Sequence, residues 1–285
     1  MEHVRIHEVG PRDGLQNEKG VISVARKVAL IEALAASGLS DIEVGSFVSP
    51  RWVPQMADTD AVMAALPEVA GLTYAVLVPN LRGWDGFVSA GGLKKSYDIA
   101  VFISASEGFS QSNLNCSVNE SIDRLGPVVE AAASVGVAVR GYVSCVVECP
   151  FDGPTAPGQV ADVVARLRAL APMPVSLGDT LGRAFPEQIA AMLEAVVPVV
   201  PPSELAGHFH DTGGHALQNI EVALEMGLRA FDSAVGGLGG CPYAPGAPGN
   251  VATEDVLELM DRLGYHTGVD RVLIAQAAQM AKDMR

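Results

Sequence analysis

The chain has 285 residues, with 19 Lys+Arg against 33 Asp+Glu and a formal net charge of −14; 49% of residues are hydrophobic and 18% charged. This composition excludes a disordered chain, which needs low apolarity and dense charge, and it supplies enough apolar side chains for a large core. The acidic balance argues against a nucleic-acid partner, which selects a basic face, though a local arginine or a helix N-terminus can still take an anionic small ligand. No membrane span is expected either: the longest apolar run, about residues 190–202, holds Glu194 and three prolines. The N-terminus has no basic region followed by an apolar one, so no signal peptide is expected. The four cysteines, Cys116, Cys145, Cys149 and Cys241, form no CxxC pair. A large core needs no disulfide staples, so reduced thiols in a cytoplasmic protein are expected.

In chain order, short β-branched runs at 4–9, 41–44, 72–78, 99–103, 137–143, 175–177, 205–208 and 230–234 read as strands. Ala/Leu-rich runs at helical spacing fall between them, at about 23–37, 57–66, 80–91, 119–135, 158–171, 186–197, 214–226 and 253–263, with a last helix at about 270–284. Ser23, Asp58, Asn119 and Thr253 stand where N-caps belong, and Gly38, Gly136, Gly227 and Gly264 stand where helices end. Eight strands alternating with eight helices imply a parallel sheet, and in this length a closed α/β barrel of the (β/α)8 (TIM) type over residues 1–285, as one domain. A doubly wound open sheet is the alternative, but no GxGxxG follows the first strand.

Barrel chemistry sits at the C-terminal strand ends, so the residues there are the candidates. Arg12 and Asp13 follow strand 1; alone, they read as a surface ion pair in a turn. Glu43 lies inside apolar strand 2 and must be paired or ligated, with Arg12 or Arg140 as structural partners. Asp179 ends strand 6 and could cap the following turn. His208 and His210 end strand 7 two residues apart, which points both imidazoles to one side and favours metal ligation. Asp211 could orient one of them. After strand 8, residues 236–250 hold six Gly and three Pro, a segment suited to act as a lid, with Cys241 inside it and Asn250 at its end. Asp13, His208, His210 and Asn250 pool two imidazoles, one carboxylate and one amide oxygen, a mixed set suited to a catalytic divalent ion. Mg²⁺ or Mn²⁺ would suit the oxygens, Zn²⁺ or Fe²⁺ the imidazoles.

These residues carry a resemblance. Residues 8–18 (EVGPRDGLQNE), 43–58 (EVGSFVSPRWVPQMAD), 113–117 (NLNCS), 140–150 (RGYVSCVVECP), 177–182 (LGDTLG) and 236–255 (GGLGGCPYAPGAPGNVATED) resemble the 3-hydroxy-3-methylglutaryl-CoA lyase family, in register from about residue 3 to 270. The lid motif is specific to that family; HxHD and the Arg-Asp pair are shared more widely among barrel aldol and Claisen metalloenzymes. The resemblance implies a retro-Claisen cleavage of HMG-CoA to acetyl-CoA and acetoacetate, with Mg²⁺ or Mn²⁺ as cofactor, in a homodimer. It implies Asp13, His208, His210 and Asn250 as metal ligands, Arg12 on the enolate oxygen, Cys241 as the lid thiol that protonates carbon, and Glu43 and Asp179 as supporting carboxylates. His208 or Asp13 could take the hydroxyl proton.

The chain also departs from the family pattern. Gly213 stands where a tyrosine is usual after HxHDT, and Pro245 and Pro248 stand in the lid where the family carries a lysine or glutamine and a serine. A longer 3-hydroxy-3-alkylglutaryl-CoA is therefore an alternative substrate, and a barrel synthase or aldolase acting on a 2-oxo acid, or a non-enzymatic binding barrel, are alternatives of other classes. Lys19, Arg51, Arg82, Lys94 and Lys95 are candidate partners for the CoA phosphates.

Overall fold

The computed structural model describes residues 2–241 and 244–284, with Cys241 and 244–248 as backbone only. Eight strands form one closed barrel: β1 (Arg5–Glu8), β2 (Asp41–Ser46), β3 (Thr73–Leu77), β4 (Tyr97–Ser104), β5 (Val139–Ser144), β6 (Val175–Asp179), β7 (Leu205–Phe209) and β8 (Ala230–Ser233). Every neighbouring pair is parallel, and β1 pairs with both β2 and β8, which excludes the open doubly wound sheet. The surrounding helices are α1 (Val24–Ala35), α2 (Thr59–Ala65), α3 (Leu81–Ser89), α4 (Glu107–Leu114), α5 (Val118–Ser134), α6 (Pro157–Arg168), α7 (Pro186–Val196), α8 (Ala216–Glu225), α9 (Thr253–Leu263) and α10 (Arg271–Lys282). No helix among the described residues is long and apolar enough to cross a membrane.

The expected helices are present, and α4 is additional. Its sequence, EGFSQSNL, has almost no apolar stripe and buries only Phe109 and Ser110, so periodicity could not reveal it. Three of the caps differ from expectation. Ser23 does cap α1, but α5 begins at a capping box of Ser117 with Glu120, and Asn119 instead accepts a hydrogen bond from Arg166. Asp58 makes no cap bond and pairs with Lys27 at 2.6 Å. Thr253 is the first helical residue of α9, and its hydroxyl turns inward to Glu8.

The apolar core lies between barrel and helices, where Ile42, Phe87, Ile99, Leu30, Leu167, Leu193 and Phe231 are completely buried. Each such side chain contributes roughly 1.5–3 kcal/mol relative to exposure. Inside the barrel the pattern inverts. His7, Glu43, Arg140, Ser176 and Asp232 lie within β1, β2, β5, β6 and β8, where aliphatic layers are usual. Buried charges at this depth are tolerable only when paired. A stable charged interior is therefore the scaffold of whatever sits at the mouth.

Lys94 and Lys95 precede β4 and so lie at the N-terminal end of the barrel, opposite the strand ends that carry the candidate residues. Lys95 Nζ is spent on the carbonyls of Met63 (3.3 Å) and Leu66 (2.7 Å). Both are removed as phosphate partners on this ground; Lys19, Arg51 and Arg82 follow β1, β2 and β3 and stay on the C-terminal side.

Candidate active site

Leaving β1, the chain makes one π-helical turn, Gly10–Gly14, with Pro11 in its first turn. Val9 carbonyl accepts from both Arg12 N–H (3.1 Å) and Gly14 N–H (3.2 Å). Such turns are rare and concentrate at functional sites. Buried Glu8 anchors this one: its carboxylate accepts from Gly10 N–H (2.8 Å), Val235 N–H (2.9 Å) and the Thr253 hydroxyl (2.6 Å). Burial pushes that carboxyl up to about 7 against these three donors. One side chain thus ties the Arg12–Asp13 turn to the segment after β8 and to the start of α9.

Arg12 is only 6% exposed, which removes the surface-pair reading. Its Nε (2.9 Å) and Nη2 (2.7 Å) both reach Glu43 Oε2, and its Nη1 reaches Asp13 Oδ1 at 2.6 Å. Of the two partners expected for Glu43, Arg12 is the direct one. Arg140 reaches it through Tyr142, whose hydroxyl accepts from Arg140 Nη1 (2.9 Å) and donates to Glu43 Oε2 (3.1 Å). Glu43 Oε1 has no hydrogen-bond partner among the described residues. On its far side Arg140 pairs with Asp232 Oδ1. Asp232 Oδ2 accepts from Ser176 Oγ (2.7 Å) and lies 3.0 Å from His208 Nδ1. A continuous chain of contacts therefore runs His208–Asp232–Arg140–Tyr142–Glu43–Arg12–Asp13.

The chain closes where β7 ends. His208 Nε2 and His210 Nε2 are 3.2 Å apart, and Asp13 Oδ2 lies 4.0 and 3.9 Å from them. These three residues offer ligand atoms that all lie within 4.8 Å of one another. Bonds of about 2.1 Å at right angles put neighbouring ligands about 3 Å apart, so the two nitrogens are spaced for one divalent ion. Asn250 is brought in by a backbone bridge between residues 210 and 250 and by Asp211 N–H donating to Gly249 carbonyl at 2.7 Å. Its amide nitrogen, rather than the expected oxygen, faces the cluster: Nδ2 donates to Asp13 Oδ2 (2.7 Å) and Leu238 carbonyl (3.3 Å).

The charges are consistent with a cation site. Burial by itself would raise the Asp13 carboxyl, but Arg12, His208, His210 and the Asn250 amide outweigh it and hold it at about 2. Burial, with the neighbouring His208, lowers His210 to about 4, so its imidazole is neutral at pH 7, the form that ligates. Burial likewise opposes ionisation of Asp232, and the Arg140 charge with the His208 hydrogen bond holds its carboxyl well below the usual range.

Two expected carboxylates stand apart. Asp179 is buried but spends its oxygens on Gly182 N–H (3.2 Å) and Ala184 N–H (3.0 Å), pinning the loop after β6; burial pushes it up to about 6. It touches neither Arg12 nor the imidazoles through a hydrogen bond, so the turn-capping reading is the one its contacts match. Asp211, the expected imidazole orienter, accepts from Ala216 N–H (3.0 Å) at the start of α8; the carboxylate on His208 is Asp232. Asp232, Tyr142 and Ser176 were missed in the sequence. The same signal that marked Glu43, a polar group inside an apolar strand, is present in AFDS and RGYVS.

The Cys241 side chain lies outside the described residues. Its backbone, with Gly240, pairs antiparallel with 244–248 in the segment that follows β8. Gly213 packs on the neighbouring loop: a Cβ there would meet Gly182 carbonyl at 3.1 Å and Arg183 Cα at 3.4 Å, so a side chain there would start against the rim. Cys145 and Cys149 are buried beside Phe109, as structural thiols.

Comparison with known proteins places this geometry. The HMGL-like family model matches residues 3–281. The chain is 53% identical over 276 residues to hydroxymethylglutaryl-CoA lyase of Pseudomonas mevalonii, covering 97% of this chain and 90% of that protein. It is also 53% identical over 276 residues to the 3-hydroxy-3-isohexenylglutaryl-CoA/hydroxymethylglutaryl-CoA lyase of Pseudomonas aeruginosa, covering 97% and 91%. The crystal structure of HMG-CoA lyase from Brucella melitensis superposes with a TM-score of 0.97 at 53% identity, covering 100% of this chain and 99% of that one. The chain belongs to the HMGL-like family, and within it to the hydroxymethylglutaryl-CoA lyases, which are carbon–carbon lyases.

Proposed function

We propose that this chain cleaves 3-hydroxy-3-methylglutaryl-CoA into acetyl-CoA and acetoacetate. The observation that carries the reading is the convergence of Asp13, His208 and His210 beside an arginine locked to Glu43 at the C-terminal mouth of the barrel. Asp13, His208 and His210 would hold the divalent ion, Mg²⁺ or Mn²⁺, and Asn250 would join them as a fourth ligand with its amide turned to present Oδ1 in place of the Nδ2 that now donates to Asp13. Such an ion, when bound, acidifies the substrate's tertiary hydroxyl.

The chain's own residues supply the rest. The hydroxyl gives up its proton, its oxygen becomes the ketone of acetoacetate, and the C2–C3 bond pair moves onto the thioester fragment. His208 presents only Nε2 to the mouth, because Nδ1 is committed to Asp232; as a ligand it cannot also take that proton. We assign the proton to Glu43 Oε1, the described buried carboxylate oxygen with no donor. Arg12 is fixed through three of its five N–H groups and, among the described residues, keeps one unengaged on each terminal nitrogen, aimed charge for a developing enolate oxygen without reorganisation. Cys241 from the lid then protonates the C2 carbon, and acetyl-CoA leaves. Asp179 supports the site by holding the loop after β6. Lys19, Arg51 and Arg82 are the candidate phosphate contacts, and the working protein is a cytoplasmic homodimer.

A second reading has a specific support. The chain is as similar to the relative named for an isohexenyl substrate as to the one named for HMG-CoA alone, so a longer alkyl group at C3 fits the family equally well. The test is acetoacetate release from HMG-CoA by the purified protein with Mg²⁺ or Mn²⁺, abolished by EDTA, alongside acyl-CoAs with longer C3 substituents. No turnover of any of them with metal present refutes the assignment.

A further inference from the structure

A histidine can offer one nitrogen to a cation only when its proton sits on the other. For His208 the nitrogen facing His210 and Asp13 is Nε2, and the nitrogen facing away is Nδ1, 3.0 Å from Asp232 Oδ2. The geometry points to Asp232 as the positioning residue of the cation site: its carboxylate accepts the Nδ1 proton of His208 and so keeps Nε2 bare. This rests on His208 as a ligand.

Three observations support the assignment. Asp232 is 2% exposed and its other oxygen is held by the Arg140 guanidinium, so the carboxylate cannot swing to water. Ser176 Oγ donates to the same oxygen that faces His208, which fixes the carboxylate plane. And Tyr142 packs edge-on to the His208 ring, with centroids 5.9 Å apart, which blocks a ring flip that would exchange the two nitrogens.

Arg140 also makes the test sharp. Arginine has no acceptor, so in Asp232→Asn the amide oxygen must stay on the Arg140 side. The amide NH₂ then faces His208 Nδ1 and can only donate to it. The imidazole proton is forced to Nε2, the wrong nitrogen, with almost no change in volume.

The experiment is Mn²⁺ titration followed by EPR on the native protein, Asp232→Asn and His208→Ala, with ¹⁵N NMR of histidine-labelled protein to read the tautomer. Native protein should show His208 protonated at Nδ1, and Asp232→Asn should show it at Nε2 with Mn²⁺ affinity lower by about 10–100-fold, the usual loss for an orienting partner. Weakened binding in His208→Ala but native affinity in Asp232→Asn overturns the positioning role alone. Native affinity in His208→Ala overturns the ligand reading beneath it. Should Asp232→Asn not fold, the native spectrum still decides: a proton on Nε2 overturns the inference.

Discussion

Replacing Arg12 with methionine tests whether the cation at the mouth serves chemistry or only architecture. The substitution keeps most of the stem volume and removes a guanidinium in contact with both Asp13 and Glu43. Glu43 is fully buried, and without Arg12 its hydrogen bonding falls to the Tyr142 hydroxyl alone. Removing one partner of a buried ion pair costs about 3–5 kcal/mol, because the remaining charge stays desolvated. At this chain length about 2 °C of Tm corresponds to each kcal/mol, so thermal unfolding should drop by about 6–10 °C. Adding Glu43→Gln removes the stranded charge and should return most of that loss. Activity should behave differently: in Arg12→Met alone, loss of one preorganised charge donor costs about 10²–10³ in kcat, and the double variant, which also lacks the Glu43 carboxylate assigned as base, stays at least that low. The assays are differential scanning calorimetry and acetoacetate release at saturating substrate. A kcat in Arg12→Met that falls less than about tenfold would reduce Arg12 to a structural counter-ion, and a double variant that recovers activity along with stability would remove Glu43 as the base as well. An unchanged Tm in Arg12→Met would refute the description of Glu43 as a buried charge that depends on it.

Other consequences follow from the same geometry. His7 and His210 are both held near 4, His7 by burial and then the Arg140 charge, His210 by burial and then His208. The unfolded chain takes up both protons below pH 6.5 while the fold refuses them until about 4, a loss of stability as pH drops that Glu8 and Asp179, held up at about 7 and about 6, oppose. The histidine contribution is therefore read as the Tm of the metal-free native protein minus that of His7→Gln, which should fall as pH drops; a difference that is constant between about pH 7 and 4.5 would contradict it. Gly14 has no room for a side chain, since a Cβ would stand 2.6 Å from Leu238 Cβ. Gly14→Ala should cost about 1–3 kcal/mol by overpacking and lower kcat by displacing the Arg12–Asp13 turn; native Tm and kcat would show that the turn tolerates the shift. Chelation should abolish turnover and lower Tm, with Mn²⁺ restoring both, by an amount that grows with free metal concentration. Calorimetry with and without EDTA reads this directly, and an unchanged Tm would count against a resident cation.

Local sequence determined much of this protein. Alternation of β-branched and Ala/Leu-rich runs set the eight-stranded barrel, because each period of two or 3.6 buries one face only against the other kind of element. His208 and His210 were legible because strand geometry makes i and i+2 share a side, and Glu43 because a charge in an apolar strand demands a partner. Helix α4 was hidden because its polar sequence has no stripe to read, and Ser117 displaced Asn119 as a cap because the reciprocal bond to Glu120 decides between adjacent candidates. What only tertiary structure decided is pairing across the barrel. Arg140 could have served Glu43 or Asp232, and Asp211 could have served His208. The fold gave His208 to Asp232, 24 residues away, and gave Asp13 to Asn250, 237 residues away. Spacing along the chain carries no record of such contacts, since barrel closure alone brings those strand ends within hydrogen-bond reach.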